Sequence, residues 1–273
     1  MIDRNRFMIG RYHPGTGFIY RLDPRTKIIV VLLIMVSALV DTSLLFYAVL
    51  TAVLLGVLGL CRLEWRLIIS SLKPVALFII FTALFHLVFS GRDDPQIVFS
   101  VGSFTISRTA LVMATTFSTR ILIFVLATFV ISLTTSPLSI SEAIVSLLKP
   151  LRLLRIPIYD LGMILFIAVR FIPVLADEIE TIRKAQFIRG IDFSGGLRTR
   201  IKRSVALILP VFFSALRRAD DLSVAIETRG YRSGQPRSSL YPLKYSGYDI
   251  VVLGLTTLLM LTYLLGNRLI WQS

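Results

Sequence analysis

Two short stretches of the chain carry the residues best suited to recognition chemistry. Phe187-Ile188-Arg189-Gly190 and Glu227-Thr228-Arg229-Gly230 end alike, 40 residues apart. Each follows an aliphatic-proline-valine step, Ile172-Pro173-Val174 in one case and Leu209-Pro210-Val211 in the other. From proline to glycine the first unit spans 17 positions and the second 20, an offset of about one helical turn. Glycine tolerates the left-handed conformation that closes a helix, so both stretches read as helix C-termini. An arginine there sets its charge at the negative pole of the helix. It also holds out a planar fork of donors matched to a carboxylate. Two such ends, Arg189-Gly190 and Arg229-Gly230, would serve two similar acidic acceptors. For one Arg-Gly taken alone, ordinary capping is the preferred reading; repetition behind the same proline step weakens that preference. Glu180 lies four residues before Lys184, the favoured order for a helix ion pair, and Arg217 and Arg218 stand three or four before Asp220 and Asp221. Glu180, Arg183, Asp220 and Glu227 are candidates to support these ends, and equally a solvated helix face.

Nothing else in the chain has the makings of an active site. The single cysteine, Cys61, excludes an internal disulfide and a cysteine-based zinc cluster. His13 and His86 are 73 positions apart and near no cysteine, so a metal centre is not expected. There is no glycine-rich loop ending in Lys-Ser/Thr, no His-Glu-x-x-His and no serine–histidine triad pattern. The catalytic, cofactor and metal-binding sets are therefore empty. His86, in an apolar run, reads as a hydrogen-bonded packing histidine. Arg120 sits near the middle of a 25-residue apolar run, where a charge must face protein or a polar cavity. It is either an anchor for a partner or a structural arginine paired with carbonyls or with hydroxyls such as Thr116, and the second reading is favoured.

The elements that must position these residues are set by composition. Of the 273 residues 55% are hydrophobic and 17% charged, against ~25% charged in a soluble domain, so part of the chain faces lipid. Five apolar stretches approach the ~20 residues a span needs: about Thr26 to Thr42, Leu44 to Leu60, Pro74 to Ser90, Thr109 to Leu133 and Ile250 to Leu265. Between the last two, Thr134 to Gly247 mixes apolar runs with dense charge. Ile158 to Val174 has span-like hydropathy but contains Asp160 and Arg170, and Ser204 to Leu216 is short for a span. Pro173 beside Arg170 disturbs a helix and would separate two halves of it; Pro210 stands in the equivalent place of the second unit. The expected organisation is 1–133 with a cytoplasmic N-terminal leader and four spans, 134–247 a cytoplasmic region holding the two Arg-Gly motifs, and 248–273 the last span with a short outside tail. The net charge of +14 would point to nucleic acid in a soluble protein. With five spans and the N-terminus inside, 26 of the 30 Lys and Arg fall on one side, as the positive-inside rule requires. No signal peptide is expected at Met1-Ile2-Asp3-Arg4-Asn5-Arg6.

Several stretches, in order along the chain, resemble the transmembrane (T) component of energy-coupling factor transporters, the cobalt-transport permease-like family. Tyr20-Arg-Leu-Asp-Pro-Arg-Thr-Lys27 is similar to the family's leader into its first span. Thr134-Thr-Ser-Pro-Leu138, Leu148 to Pro157 and Val169-Arg-Phe-Ile-Pro173 resemble its central region, and Ala185 to Gly190 and Thr228 to Gly230 its two Ala-Arg-Gly-type motifs. Ile188 and Thr228 stand where that family often has alanine. The resemblance implies an all-α polytopic membrane protein with about five transmembrane helices and long cytoplasmic coupling helices. It implies that Arg189, Gly190, Arg229 and Gly230 dock into two ABC-type ATPase subunits, one motif each. A small substrate-binding membrane (S) subunit would rest on the spans and the apolar side of the coupling helices. ATP and Mg would be held by the ATPases, with no cofactor on this chain, which is not itself an enzyme. Ile158 to Val174 then starts a coupling helix against a partner. The implied setting is a bacterial cell membrane, N-terminus cytoplasmic and C-terminus outside, and the implied cargo a micronutrient, with a vitamin preferred. A self-sufficient secondary transporter or channel is the rival; it would need a polar pathway, for which Arg120 and His86 are too little. An intramembrane enzyme would need paired catalytic groups at one depth.

Overall fold

The structure, a computed structural model, describes residues 17–40, 43–61, 65–90, 97–101, 104–191, 196–235 and 243–271. His13 and the Asp41-Thr42 interruption lie outside the described residues. The helices in chain order are α1 (Phe18–Arg21), α2 (Pro24–Val40), α3 (Leu44–Leu60), α4 (Trp65–Phe89), α5 (Arg108–Thr134), α6 (Pro137–Leu148), α7 (Ile158–Ile188), α8 (Leu197–Thr228) and α9 (Gly247–Trp271). A 3-10 turn, Lys149–Leu154, follows α6, and strands β1 (Ile97–Val101) and β2 (Phe104–Ser107) precede α5. The all-helical expectation thus gains one antiparallel hairpin, with Ile97 opposite Ser107 and Val101 opposite Phe104. Its β-branched and aromatic residues suit a pleated ladder. Ser107 then caps α5, its hydroxyl accepting from the Ala110 amide at 3.1 Å. A second difference lies in α4, which begins at Trp65 and carries Pro74 inside it, not at its start.

Two compact units result, one made of 10–136 with 243–273, the other centred on 137–242. In the first, α5 is the central helix, packed by α2, α3 and α4, while α9 packs on α2. The reason is periodicity. Ile123, Leu126, Ala127, Val130 and Leu133 of α5 recur at the three- and four-residue spacing that lines one helix face. They meet Val31 and Ala38 of α2 and Tyr47, Leu54 and Leu58 of α3 in one buried cluster. The alanines are fully buried; in lipid, where burial of apolar surface gives no drive, small residues at the seam let helices approach closely. The outward residues Leu77, Ile80, Phe81 and Leu84 of α4 are exposed, as a lipid-facing surface requires. By length and composition α4 over Leu72–Phe89, α5 and α7 can cross a membrane, and Leu44–Leu60 and Gly247–Thr262 are shorter apolar helices.

Polar residues tie this unit together. Asp23 caps α2, accepting from the Arg25 amide at 2.8 Å, ahead of Pro24 at the first helical position, where its missing N–H costs nothing. The Asp23 amide donates to Asp249 of α9 at 2.9 Å, and the Ser246 amide donates to the other Asp249 oxygen at 2.7 Å. Arg25 donates to the Leu243 carbonyl at 3.3 Å and lies over the Tyr245 ring. Lys27 is buried, its Nζ donating to the Thr134 carbonyl at 3.0 Å and the Thr135 hydroxyl at 3.4 Å. That places a cation at the negative end of α5, where orphan carbonyls need donors. The leader motif is therefore an architectural knot joining α2, α5 and α9.

In the second unit α6 packs on α7 and α7 on α8. Gly162 lets α6 come close: a Cβ there would stand 3.0 Å from Cγ1 of Val145.

Candidate functional site

The two Arg-Gly stretches are the ends of α7 and α8, and their geometry is the same. Gly190 has φ +87° and Gly230 φ +77°. The Gly190 amide donates to the Phe187 carbonyl at 3.0 Å and the Ile191 amide to Gln186 at 3.0 Å. At the other end the Gly230 amide donates to Glu227 at 2.8 Å and the Tyr231 amide to Ile226 at 3.0 Å. This pair of reversed bonds is the Schellman motif, made twice with the same residue offsets. A Cβ on either glycine would meet nothing within 4 Å, so glycine is required for its backbone conformation and not for space. Arg189 and Arg229 are the C-caps, both exposed. Among the described residues neither side chain has a hydrogen-bond or ion-pair partner. Ile188, beside Arg189, is 84% exposed, an apolar side chain with nothing over it at the tip of a helix.

Both helices are longer than the proline-to-glycine units. They start well upstream and run unbroken past Pro173 and Pro210, so the separation of halves expected at Pro173 is not a break in the helix. Pro173 and Arg170 are exposed and Pro210 is half-buried. Around the two prolines the helices display Leu161, Ile164 and Phe166 on α7 and Ile208, Phe212 and Phe213 on α8, all exposed.

Of the proposed supporting residues, Glu180 pairs with Lys184 at 2.8 Å, four residues apart. Arg183 is half-buried, and Asp220 and Glu227 are exposed. No ion pair joins Arg217 or Arg218 to Asp220 or Asp221 among the described residues. Arg218 reaches instead to Glu178 of α7 at 3.1 Å, and Ser214, one turn before Arg218, donates to the other oxygen of Glu178. An intrahelical pairing was legible in spacing; this interhelical one is not, because the facing surfaces are decided by how α7 and α8 cross.

A second residue that sequence reasoning passed over is Asp160. It lies in the first turn of α7, where a carboxylate suits the positive helix end. It gathers the chain that follows the second Arg-Gly: Tyr231 donates its hydroxyl at 3.0 Å, Ser233 at 2.6 Å, and the Gly234 amide at 3.1 Å. Met163, Ile226, Arg229, Tyr231 and Arg232 line a shallow cavity of about 370 Å³ at this end. The charge that seemed misplaced in an apolar run is a clasp.

Arg120 lies in the other unit, far along α5 from either end. It donates to the Tyr47 hydroxyl at 2.9 Å, which in turn donates to the Ala38 carbonyl at 2.9 Å. Its guanidinium also stands over the Phe117 ring at 5.2 Å. The hydroxyl it uses is thus Tyr47, not Thr116. His86 shares a hydrogen bond with Ser90 at 3.0 Å and stacks on Phe117. Among the described residues no cluster of His, Cys, Asp and Glu is placed to hold a metal.

The CbiQ family model, described as cobalt transport protein, matches residues 15–240. The chain is 36% identical over 260 residues to the energy-coupling factor transporter transmembrane protein EcfT of Bacillus subtilis, covering 94% of this chain and 97% of that one. It is 37% identical over 254 residues to the protein of the same name from Acidaminococcus fermentans, covering 93% and 92%. With that from Thermosediminibacter oceani it shares 36% over 265 residues, covering 96% and 98%.

Proposed function

The chain belongs to the CbiQ cobalt transport protein family, and on that premise we propose that it is the transmembrane coupling subunit of an energy-coupling factor importer. The relatives' printed name supports the assignment to such a transporter. The observation that carries the coupling role is the twin C-terminus: the same two-bond turn, 40 residues apart, presenting an exposed arginine each time. Arg189 and Arg229 each dock on one of two ABC-type ATPase subunits, their guanidinium forks meeting acidic groups that only the partners hold. The exposed apolar stretches of α7 and α8 seat the small substrate-binding membrane subunit. Closure of the ATPases on ATP displaces the two helix ends, and the Glu178 crosslink makes α7 and α8 move as a pair. ATP and Mg belong to the ATPases, and this chain does no chemistry of its own. The excess of basic residues on one side of the five spans supports an orientation with the N-terminus in the cytoplasm and the C-terminus outside. The cargo is a micronutrient, a vitamin in preference to a metal, selected by the substrate-binding subunit.

The test is Arg189→Glu with Arg229→Glu. Truncating a buried interfacial charge costs about 2–5 kcal/mol, and reversal puts like charges together. Copurification of ATPase subunits and substrate uptake are both expected to be lost, while the chain itself stays monodisperse in detergent because neither arginine supports its fold. Full ATPase binding and uptake in the double variant overturn the proposal.

A further inference from the structure

The turn between α6 and α7 takes no part in the docking ends or in the knot. Lys149 to Arg155 is a run of seven consecutive exposed residues. It folds as a 3-10 turn and closes at Arg155, whose φ of +61° is the one positive value on a non-glycine among the described residues. An arginine in that region is uncommon and needs a cause. What the turn accomplishes is display: Leu153 is 90% exposed and Leu154 71%. Leu153 is the most exposed large apolar side chain among the described residues.

Cations accompany the leucines. Lys149, Arg152 and Arg155 are all exposed, and Arg152 is held over the Tyr159 ring at 5.4 Å. No acidic residue occurs between Glu142 and Asp160. The core of a protein interface is depleted of charge, and of lysine in particular. An anionic bilayer surface suits both features at once, taking apolar side chains at the acyl boundary and cations at the phosphates. Fourteen residues of chain separate this turn from the end of α5, a helix of membrane-crossing length. We infer that Lys149 to Arg155 is a membrane-interface anchor, with Leu153 and Leu154 set into the headgroup layer of anionic phospholipid and the three cations on its phosphates. The anchor is independent of the coupling role.

Cys61 is the single cysteine and is buried, so a Cys61→Ser background leaves L153C or L154C as the only site for a spin label. The full chain is reconstituted alone, in vesicles of phosphatidylcholine with or without phosphatidylglycerol. With phosphatidylglycerol, both labels are expected to collide with dissolved oxygen more than with a water-soluble nickel complex. Pure phosphatidylcholine, or K149Q/R152Q/R155Q, reverses that order. Water-like accessibility in anionic vesicles overturns the anchor, as does protection that appears only when a substrate-binding membrane subunit is added, which makes the turn a protein-docking surface. Amide hydrogen exchange on the unsubstituted chain is a second readout that needs no variant: amides 151–155 exchange at least severalfold more slowly in anionic than in neutral vesicles, and equal rates overturn the inference.

Discussion

Asp249 and Arg229 are both charged residues at the end of a long helix, yet the first is 1% exposed and the second stands uncovered at a tip. Asp249 spends both oxygens on backbone amides of its own chain, one of them 226 residues away. Arg229 caps its helix through the backbone and leaves its side chain exposed. Lys27 and Arg189 repeat the contrast: Lys27 is buried against the carbonyl end of α5, and Arg189 is exposed. A charge at a helix end closes the fold where the end is buried and stands exposed where it is open. Asp249 and Lys27, in the unit around α5, are of the first kind; Arg189 and Arg229, at the ends of α7 and α8, are of the second.

The comparison is broken most severely at Asp249. Asp249→Ala strands the Asp23 and Ser246 amides in a buried site, at a cost of about 3 kcal/mol. Thermal unfolding in detergent is expected to shift sharply downward, with Asp249→Asn intermediate; a wild-type melting profile for the alanine variant removes the knot from the account. Asp160→Ala tests the clasp and costs about 1–3 kcal/mol through three lost hydrogen bonds, part of it recovered by water because the site is only partly buried. Its distinguishing readout is local: exchange of amides 231–234 speeds up while amides 187–191 keep their rates, and equal acceleration at both ends shows that Asp160 acts on the unit as a whole. The smallest effect is at the glycines themselves. Gly190→Ala and Gly230→Ala each cost about 1–2 kcal/mol for a left-handed backbone, and because neither Cβ meets a neighbour the two penalties should match. Unequal penalties in a melting series would show that the ends differ in more than the clasp.

Much of this molecule is visible in local patterns. The seam of α5 follows from apolar residues at helical spacing, and both C-caps follow from Arg-Gly after long helices. Glu180 and Lys184 are one turn apart and meet as that spacing requires. What spacing misled about is the role of Arg218, which leaves its own-helix aspartates for Glu178 across the α7–α8 contact. Asp160 could be noticed only as a charge out of place, and Arg120 only as a charge in need of a hydroxyl; neither partner could be named.

By itself, the sequence determined the helical class, the apolar stretches and the two Arg-Gly ends. These depend on composition and on interactions within a turn or two of helix. Tertiary structure alone decided which charges are hidden and which are offered. The partners of Asp160, Lys27 and Asp23 lie 71, 107 and 226 residues away. No periodicity links residues so distant; only the packing of helices around α5, and of α7 on α8, brings them within reach of a hydrogen bond.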